Sequence, residues 1–293
     1  MKNVLVTGAS TGIGYYTVKA FLKHGYRVYG SVRKESDAER LKADFGEHFR
    51  ALMFDVTDTT AVQTAAAQVT EEIGNEGLFC LVNNAGIATS GPLMHQPLEE
   101  IKWQFEVNVF GLMAVTQAFL PLLGAKKDAP HPPGRILMMS SVAGKFAAPF
   151  VGAYAGSKHA VEGLTQALRV ELKLYGIDIV IIGPGAVKTP IWEKPSAQEI
   201  TKYDWTDWGY AINKFAKYFV TMGQTGLDVE AFGEQMVRIT EKKNPKLRYA
   251  IVGSKFKRWT LPMLLPGKMV DKNIAKQLKL SPAFLKATGG GDA

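Results

Sequence analysis

Two side chains that can exchange protons stand four residues apart in "GAYAGSKHAV", residues 152–161: Tyr154 and Lys158. On an α-helix this spacing places both on one face, with Cβ atoms about 5 to 6 Å apart. A cation at that distance favours the phenolate, so we expect Lys158 to lower the pKa of Tyr154 from its usual value near about 10. The pair therefore predicts a phenol that passes a proton near neutral pH.

The elements that must position this pair are predicted from seven short apolar runs, most of them separated by segments of helical length. Because each parallel strand needs a crossover, usually a helix, this alternation predicts an α/β fold. We expect a Rossmann-type doubly wound parallel sheet of about seven strands with helices on both faces, since the strands are almost continuously apolar. The predicted strands cover residues 3–7, 26–32, 50–55, 78–82, 135–140, 177–182 and 248–252.

Further polar residues are predicted near the Tyr154 helix. Ser141 closes the fifth predicted strand, thirteen residues before Tyr154, at the carboxyl end of a parallel sheet, where ligands bind in open α/β folds. Asn108 is predicted to begin a helix after the fourth strand. Tyr154, Lys158 and Val161 are expected to face a ligand, because a separate apolar stripe is predicted for the core. That stripe consists of Ala160, Leu164, Leu168 and Leu172.

A glycine-rich loop, "TGASTGIG" at residues 7–14, joins the first strand to the first helix. Gly8, Gly12 and Gly14 permit a tight turn and a close approach of the backbone to a pyrophosphate held at the helix N-terminus. This placement predicts a dinucleotide site.

Arg33, rather than an acid, follows the second strand. An arginine there can hold the 2′-phosphate of NADP(H), which is predicted over NAD(H). The alternative is that Arg33 only faces water and that NAD(H) is used. Asp55 and Val56, after the third strand, are placed to meet the adenine.

Several ordered motifs resemble those of the short-chain dehydrogenase/reductase family in its single-domain branch, across nearly all of residues 2–253. The motifs are "TGASTGIG" (7–14), "DVT" (55–57), "NNAG" (83–86), Asn108, Ser141, "YAGSK" (154–158) and "PGAVKTP" (184–190). The resemblance implies that Tyr154 is the proton donor or acceptor and that Lys158 lowers its pKa and holds the nicotinamide ribose. It also implies that Ser141 hydrogen-bonds the substrate oxygen and that Asn108 anchors a water in a proton relay.

The resemblance implies a set of cofactor contacts, in which Asn83 and Gly86 line the cleft while Val187 and Thr189 contact the carboxamide. The full set is Gly8, Ser10, Thr11, Gly12, Ile13, Gly14, Arg33, Asp55, Val56, Asn83, Ala85, Gly86, Tyr154, Lys158, Pro184, Gly185, Val187 and Thr189. No metal is expected, because hydride transfer from a nicotinamide with a proton from Tyr154 needs none, and no Cys/His cluster offers a site.

Large rings crowd the predicted substrate lid at about residues 188–226 and favour a bulky apolar substrate such as a steroid, a retinoid or a long acyl chain. Alternatively, the rings only pack the lid onto the core or a neighbouring subunit. They are Trp192, Tyr203, Trp205, Trp208, Tyr210, Phe215, Tyr218 and Phe219. "FLPLL" (119–123), "GRILMMSSVAG" (134–144) and the basic tail most resemble the retinol and hydroxysteroid dehydrogenase group.

The expected activity is an NADP(H)-dependent interconversion of an alcohol and a ketone or aldehyde. Two alternatives stay open: a catalytically silent dinucleotide-sensing protein, and an NAD(H)-dependent dehydrogenase of a small polar alcohol. The resemblance also implies a homodimer or homotetramer.

The composition is that of a globular protein, with 293 residues, 46% of them hydrophobic and 21% charged. The lone cysteine, Cys80, cannot form an intramolecular disulfide, which fits a reducing compartment. No apolar run approaches the ~20 residues of a spanning helix, and no signal peptide precedes "NVLVT". A cytoplasmic protein is therefore expected.

Basic charge is concentrated in the tail: twelve Lys or Arg and one acid lie between residues 242 and 286, leaving a net charge of −3 elsewhere out of a total of +8. We expect a catalytic domain over residues 1–253 and a basic appendage over residues 254–293. The tail is interpreted as a solvated basic face or, alternatively, as peripheral attraction to an anionic membrane surface. Nucleic acid is disfavoured, because no nucleic-acid motif accompanies the charge.

Overall fold

The computed structural model describes residues 1–189 and 202–288, and its centre is one parallel sheet of seven strands in the order β3-β2-β1-β4-β5-β6-β7. The strands are β1 Asn3–Val6, β2 Arg27–Val32, β3 Phe49–Met53, β4 Leu78–Asn83, β5 Arg135–Met139, β6 Asp178–Pro184 and β7 Arg248–Ile251. All seven predicted strands are confirmed. The strand order reverses between β1 and β4, and ligands bind outside the carboxyl ends of the strands at such a switch point.

Helices cover both faces of the sheet, which confirms the doubly wound fold. They are α1 Gly12–Lys23, α2 Glu35–Phe45, α3 Thr59–Ile73, α4 Leu98–Phe105, α5 Leu112–Phe119, α6 Gly152–Glu171, α7 Gly209–Gln224, α8 Val229–Glu241, α9 Leu261–Leu264, α10 Gly267–Leu278 and α11 Pro282–Thr288. One buried apolar cluster joins Phe21 of α1 and Phe232 of α8 to the sheet. A second joins Val69 of α3, Phe119 of α5 and Val161 of α6 to the other face.

Asn108 does not begin a helix, so that prediction was wrong. Helix α4, a π-helical turn at Glu106–Gly111 and α5 follow one another directly, and Asn108 lies inside the π turn. The Asn108 side chain is fully buried and bonded to the backbone of Ile87, so a tertiary contact rather than a helix cap determines its position. Single π turns of this kind occur frequently at functional sites.

The apolar stripe predicted for α6 is confirmed at three of its four positions, since Leu172 is buried and Ala160 and Leu168 pack against the second cluster. Leu164 is 40% exposed, whereas Val161, expected to face a ligand, is fully buried in the core. The inner face of α6 is also rich in polar groups, including Lys158, Glu162 and Thr165. A polar residue is tolerated in the interior when hydrogen bonds satisfy it, which periodicity alone does not reveal.

A third apolar cluster joins the lid to the tail. Its buried members are Phe150, Tyr203, Ala211, Ile212 and Leu278, and partly buried Trp208, Phe215, Ile274 and Leu280 pack against them. Trp192, part of the predicted lid, lies outside the described residues. The division at residue 253 stays a prediction. In the described ranges, no helix has the length and hydropathy that would let it cross a bilayer.

Candidate active site

The structure brings Tyr154, Lys158 and Ser141 together beside the switch point of the sheet. Tyr154 and Lys158 lie on α6, and the Lys158 Nζ atom is 5.8 Å from the centre of the Tyr154 ring. Ser141 follows β5, and its hydroxyl caps a 3₁₀ turn by accepting from the N–H of Ala143 at 3.1 Å. These three chemical groups, expected from their spacing, thus share one site.

Burial perturbs both titrating groups. It raises the pKa of Tyr154, and the hydroxyl of Ser141 beside the phenol acts in the opposite direction without reversing the shift. Burial lowers the pKa of Lys158 to about 8. The pKa of Tyr154 is therefore raised, whereas the sequence predicted that Lys158 would lower it. The Lys158 ammonium instead donates to the carbonyl of Met139 at 2.8 Å.

Hydrogen bonds hold the Asn108 side chain near Lys158, across from Gly86. Its carbonyl oxygen accepts from the N–H of Ile87 at 2.9 Å, and its amide donates to the carbonyl of Ile87 and to the hydroxyl of Ser157. A Cβ placed on Gly86 would lie 3.0 Å from the Asn108 oxygen and 3.6 Å from Lys158 Nζ. Glycine at position 86 therefore leaves room between these two groups. The water relay implied for Asn108 stays a prediction.

A buried ionic network, which the sequence did not predict, lies next to Ser141 and Lys158. Glu162 lies one helical turn after Lys158 and is almost fully buried. It accepts from Arg248 Nε at 2.8 Å and from the Ser140 hydroxyl at 2.9 Å, and it pairs with Lys145 at 3.2 Å. Ser140 is thus committed to the network, which agrees with the choice of Ser141 for catalysis.

Arg248 connects this network to the backbone of Ser141. Its Nη2 atom donates to the carbonyl of Ser141 at 2.9 Å, and its guanidinium carbon lies 4.3 Å from the centre of the Trp259 ring. Glu162 and Arg248 are therefore positioning residues for Ser141. They are 86 residues apart in the chain, and no local pattern could have joined them.

The glycine loop is built to receive an anion. Gly8 and Gly12 have positive φ angles of 66° and 57°, which suit glycine, and a Cβ on Gly14 would collide with the carbonyl of Gly8. Helix α1 has no side-chain cap from Thr11 and no acid in its first turn. Its first backbone N–H groups are left for a ligand, so the loop, with Ser10 and Ile13, fits a pyrophosphate.

Hydrogen bonds from neighbouring strands fix the glycine loop. The hydroxyl of Thr7 accepts from the N–H groups of Asn84 and Ala85, both at 2.9 Å, and the N–H of Gly8 donates to the hydroxyl of Ser31 at 2.9 Å. These bonds tie the loop to the ends of β4 and β2. Thr7, Ser31 and Asn84 were not among the predicted contacts, although all three lie at the ends of predicted strands.

Two arginines, one just after β2 and one in α2, lie where the adenosine end of the cofactor is predicted. Arg33 is 68% exposed and makes a long ion pair with Asp55 at 3.5 Å. Burial acts to raise the pKa of Asp55, but hydrogen bonds from Thr57 and the charge of Arg33 lower it on balance. Arg40, which the sequence reasoning missed, donates to the carbonyl of Ser10 at 2.7 Å and pairs with Asp37 at 3.0 Å.

Four of the remaining predicted cofactor contacts lie at the end of β6 and in the segment that follows it. A Cβ on Gly12 would be 3.5 Å from the side chain of Thr189, so Thr189 lies over the glycine loop, while Pro184 and Gly185 follow from the end of β6. Val187 is buried in a bridge to Leu227.

Two predicted contacts have side chains turned into the protein. Val56 is buried, and a Cβ on Gly111 would collide with its side chain. Asn83 is buried and donates to Thr116 at 2.8 Å, which makes its side chain part of the core.

Apolar side chains pack around the start of α6, the helix that carries Tyr154. Phe150, in the left-handed region at φ 66°, packs against Phe215 of α7 with ring centres 5.7 Å apart. Phe215 stacks on Phe219 at 5.5 Å. The side chain of Leu93, largely exposed, lies where a Cβ on Gly152 would be. Phe150, Phe215 and Leu93 thus lie around the start of α6, the helix that carries Tyr154, and we call them the apolar wall.

This combination of a doubly wound sheet, an uncapped glycine-loop helix and a Tyr-Lys-Ser site defines a dinucleotide-dependent oxidoreductase. The model of the short chain dehydrogenase family matches residues 2–200, and the chain belongs to that family. Within the described residues, no group of three His, Cys, Asp or Glu side chains could hold a metal.

Three relatives resemble the chain over almost all its length. The NADPH-dependent 3-dehydrocapnine reductase of Ornithobacterium rhinotracheale is 40% identical, with 95% of this chain and 98% of that protein covered. The 3-ketodihydrosphingosine reductase of Bacteroides thetaiotaomicron is 29% identical, with 92% and 94% covered. Retinol dehydrogenase 16 of Mus musculus is 30% identical, with 92% and 86% covered, which agrees with the resemblance to the retinol dehydrogenase group.

Proposed function

We propose that this protein uses NADPH to reduce a ketone carried on a bulky apolar substrate to the corresponding alcohol. The observation that carries the proposal is the grouping of Tyr154, Lys158 and Ser141 at the same edge of the parallel sheet as the uncapped N-terminus of α1. The reaction is reversible in principle, so the same site interconverts an alcohol and a ketone or aldehyde.

The chain's own residues supply the proton chemistry. When bound, the reduced nicotinamide supplies a hydride to the carbonyl carbon of the substrate. Tyr154 donates its phenolic proton to the carbonyl oxygen, and a raised pKa keeps that proton on the phenol until it is needed. Ser141 donates a hydrogen bond to the same oxygen, and Arg248 fixes the backbone from which Ser141 extends. Lys158, with a pKa of about 8, can take up or release a proton close to physiological pH and return one to Tyr154.

NADP(H) is favoured over NAD(H) by the charge at the end of β2. Arg33 is largely exposed and its only ion pair in the described part of the chain, with Asp55, is long at 3.5 Å. Its guanidinium is thus available for charge-assisted hydrogen bonds to a 2′-phosphate. The NADPH dependence in the name of the 40%-identical relative supports this choice.

The apolar wall supports a bulky apolar substrate, and the name of the 3-ketodihydrosphingosine reductase supports a long alkyl chain among the three classes considered. Phe150 and Phe215 pack together, and Leu93 lies against Gly152, at the start of the helix that carries Tyr154. Two relatives are named as reductases of a 3-dehydro and a 3-keto compound, which also supports reduction as the direction. Among the lid rings, Tyr203 is buried in packing, while Trp205, Tyr210 and Tyr218 are exposed.

Association with a second copy is proposed through the outer faces of α4, the π turn and α6. Trp103, Phe110 and Leu164 expose large apolar surface there. Light scattering of the purified protein tests this part: we expect a dimer or tetramer that becomes smaller in a Phe110→Glu variant.

The experiment for the main proposal follows NADPH and NADH absorbance with a panel of carbonyl compounds. The panel contains 3-ketodihydrosphingosine, a ketosteroid, retinal and a small polar ketone. We expect NADPH oxidation with 3-ketodihydrosphingosine and none with the small polar ketone. Turnover of only the small ketone with NADH would favour the alternative dehydrogenase. NADPH binding without turnover of any compound would favour a sensing protein.

A further inference from the structure

Helix α10 carries two opposed stripes of side chains. Ile274 and Leu278 pack inward with the lid cluster. Lys272 and Lys276 precede them by two residues each, and two residues correspond to a rotation of about 200° on an α-helix. Together with Lys268, they form a row at four-residue spacing on the opposite, exposed side. Packing of the helix therefore fixes where the lysines project.

Large apolar side chains are exposed immediately before and within this helix. Leu264 of α9 is 73% exposed, and Leu261, Met263 and Met269 are each exposed to 40% or more. Single exposed apolar residues need no explanation, but four within nine positions, next to three lysines, form a patch. We call this patch the docking face. Its members are Leu261, Met263, Leu264, Lys268, Met269, Lys272 and Lys276.

The charge around the docking face is almost entirely of one sign. Twelve basic residues and one acid, Asp271, lie between residues 242 and 286. None of the ion pairs in the described ranges involves Lys268, Lys272 or Lys276. A two-fold contact with a second copy would bring the same lysines together, which is unfavourable. An anionic surface with an apolar interior complements both components.

We propose that α9 and α10 dock the protein peripherally on a bilayer surface that carries anionic headgroups. The lysines face the headgroup phosphates, and the apolar side chains enter the boundary between headgroups and acyl chains. Because α10 packs on the lid through Leu278 and Ile212, docking places the substrate side of the protein near the membrane. This docking extends the proposed function and rests on it, because docking lets the enzyme take an apolar substrate from the bilayer.

Vesicle sedimentation tests the docking face without any need for turnover. We compare vesicles of phosphatidylcholine alone with vesicles that also contain phosphatidylglycerol. The full chain is expected to sediment with the anionic vesicles only and to be released by added salt. A variant with Lys268→Gln, Lys272→Gln and Lys276→Gln should lose roughly 100-fold in partitioning, at about 1 kcal/mol per lysine.

Two further variants distinguish a built surface from general positive charge. A matched control with Lys126→Gln, Lys127→Gln and Lys173→Gln removes the same charge from exposed positions outside the tail and should bind like the wild type. A Met263→Ser, Leu264→Ser variant keeps all the lysines and should lose roughly ten-fold.

Equal losses in the control and the α10 variant would overturn the proposal, as would an absence of vesicle binding or equal binding to uncharged vesicles. Binding to a homopolymeric RNA in place of vesicles, or self-association that the α10 variant abolishes, would assign the face to another occupant. Turnover of the ketone without vesicle binding would overturn the docking alone. Vesicle binding without turnover would overturn the proposed function alone.

Discussion

Lys158 and Glu162 lie one turn apart on the same buried face of α6, yet their surroundings differ sharply. Glu162 contacts two cations and a hydroxyl, from Arg248, Lys145 and Ser140. Lys158 has no carboxylate partner in the described part of the chain and donates only to the carbonyl of Met139. Its pKa falls to about 8 as a result of burial.

The contrast separates a scaffold from a reactive site. A buried charge with several partners holds elements in place, and removal of one partner is costly. A buried charge with few partners destabilises the folded chain but is ready to titrate near neutral pH, as acid-base catalysis needs. One helix thus carries both kinds of group, and Arg248 links them through the carbonyl of Ser141.

The largest stability effect is expected from Glu162→Gln, which leaves Arg248 and Lys145 without their counterion. We expect a loss of about 3 kcal/mol in the free energy of unfolding, measured by urea denaturation. Turnover should fall as Ser141 loses its support, while NADPH binding stays within a few-fold. The matched control is Glu99→Gln, which breaks an exposed pair with Lys102 and should cost under about 1 kcal/mol. Equal losses in the free energy of unfolding at both positions would show that Glu162 does not stabilise the site.

Lys158→Met should have the opposite effect on stability, in a pH-dependent way. The folded-state pKa of about 8 lies below the ordinary value of 10.5, so burying the ammonium destabilises the wild type below about pH 8. Between about pH 8 and about pH 10.5 the folded chain loses this proton first, and the cost disappears. The wild type should therefore gain about 2 kcal/mol relative to Lys158→Met between about pH 7 and about pH 10.

The exposed Lys173→Met variant provides the control for this titration and should show no such pH dependence. A difference between wild type and Lys158→Met that does not change with pH would mean that Lys158 titrates normally in the folded chain.

A contrast between a weakly paired and a closely paired cation also occurs in the cofactor cleft, with a smaller expected effect. Arg33→Ala should weaken NADPH binding roughly 10- to 100-fold and leave NADH binding within about two-fold, because only NADPH carries the 2′-phosphate. Arg40 is already paired with Asp37 and holds Ser10, so Arg40→Ala should weaken both cofactors alike. Fluorescence titration with each cofactor measures both variants. Equal weakening of NADPH and NADH in Arg33→Ala would contradict the phosphate contact.

The sequence predicted the sheet well because the parallel strands are short, buried on both faces and bounded by turn residues. It also predicted the grouping of Tyr154, Lys158 and Ser141, whose spacing follows from one helix and one strand end. Periodicity failed for part of α6, where Leu164 is exposed and Glu162 is buried, because polar partners satisfy part of the inner face.

Long-range pairing accounts for what the sequence did not show. Arg248 and Glu162 come together only when β7 lies at the sheet edge beside α6, and neither carries a local signal. Asn108 was predicted as a helix start, but it lies inside a π turn and is bonded to Ile87. The raised pKa of Tyr154 likewise depends on burial, which spacing cannot report.

The central claim, that Tyr154 transfers the proton in an NADPH-linked reduction, is tested most directly with Tyr154→Phe. This variant removes only the phenolic oxygen, so NADPH binding should stay within a few-fold of the wild type. We predict that kcat for the accepted ketone falls by roughly 1,000-fold, as expected for loss of a general acid. Turnover within ten-fold of the wild type, with NADPH still bound, would contradict the account.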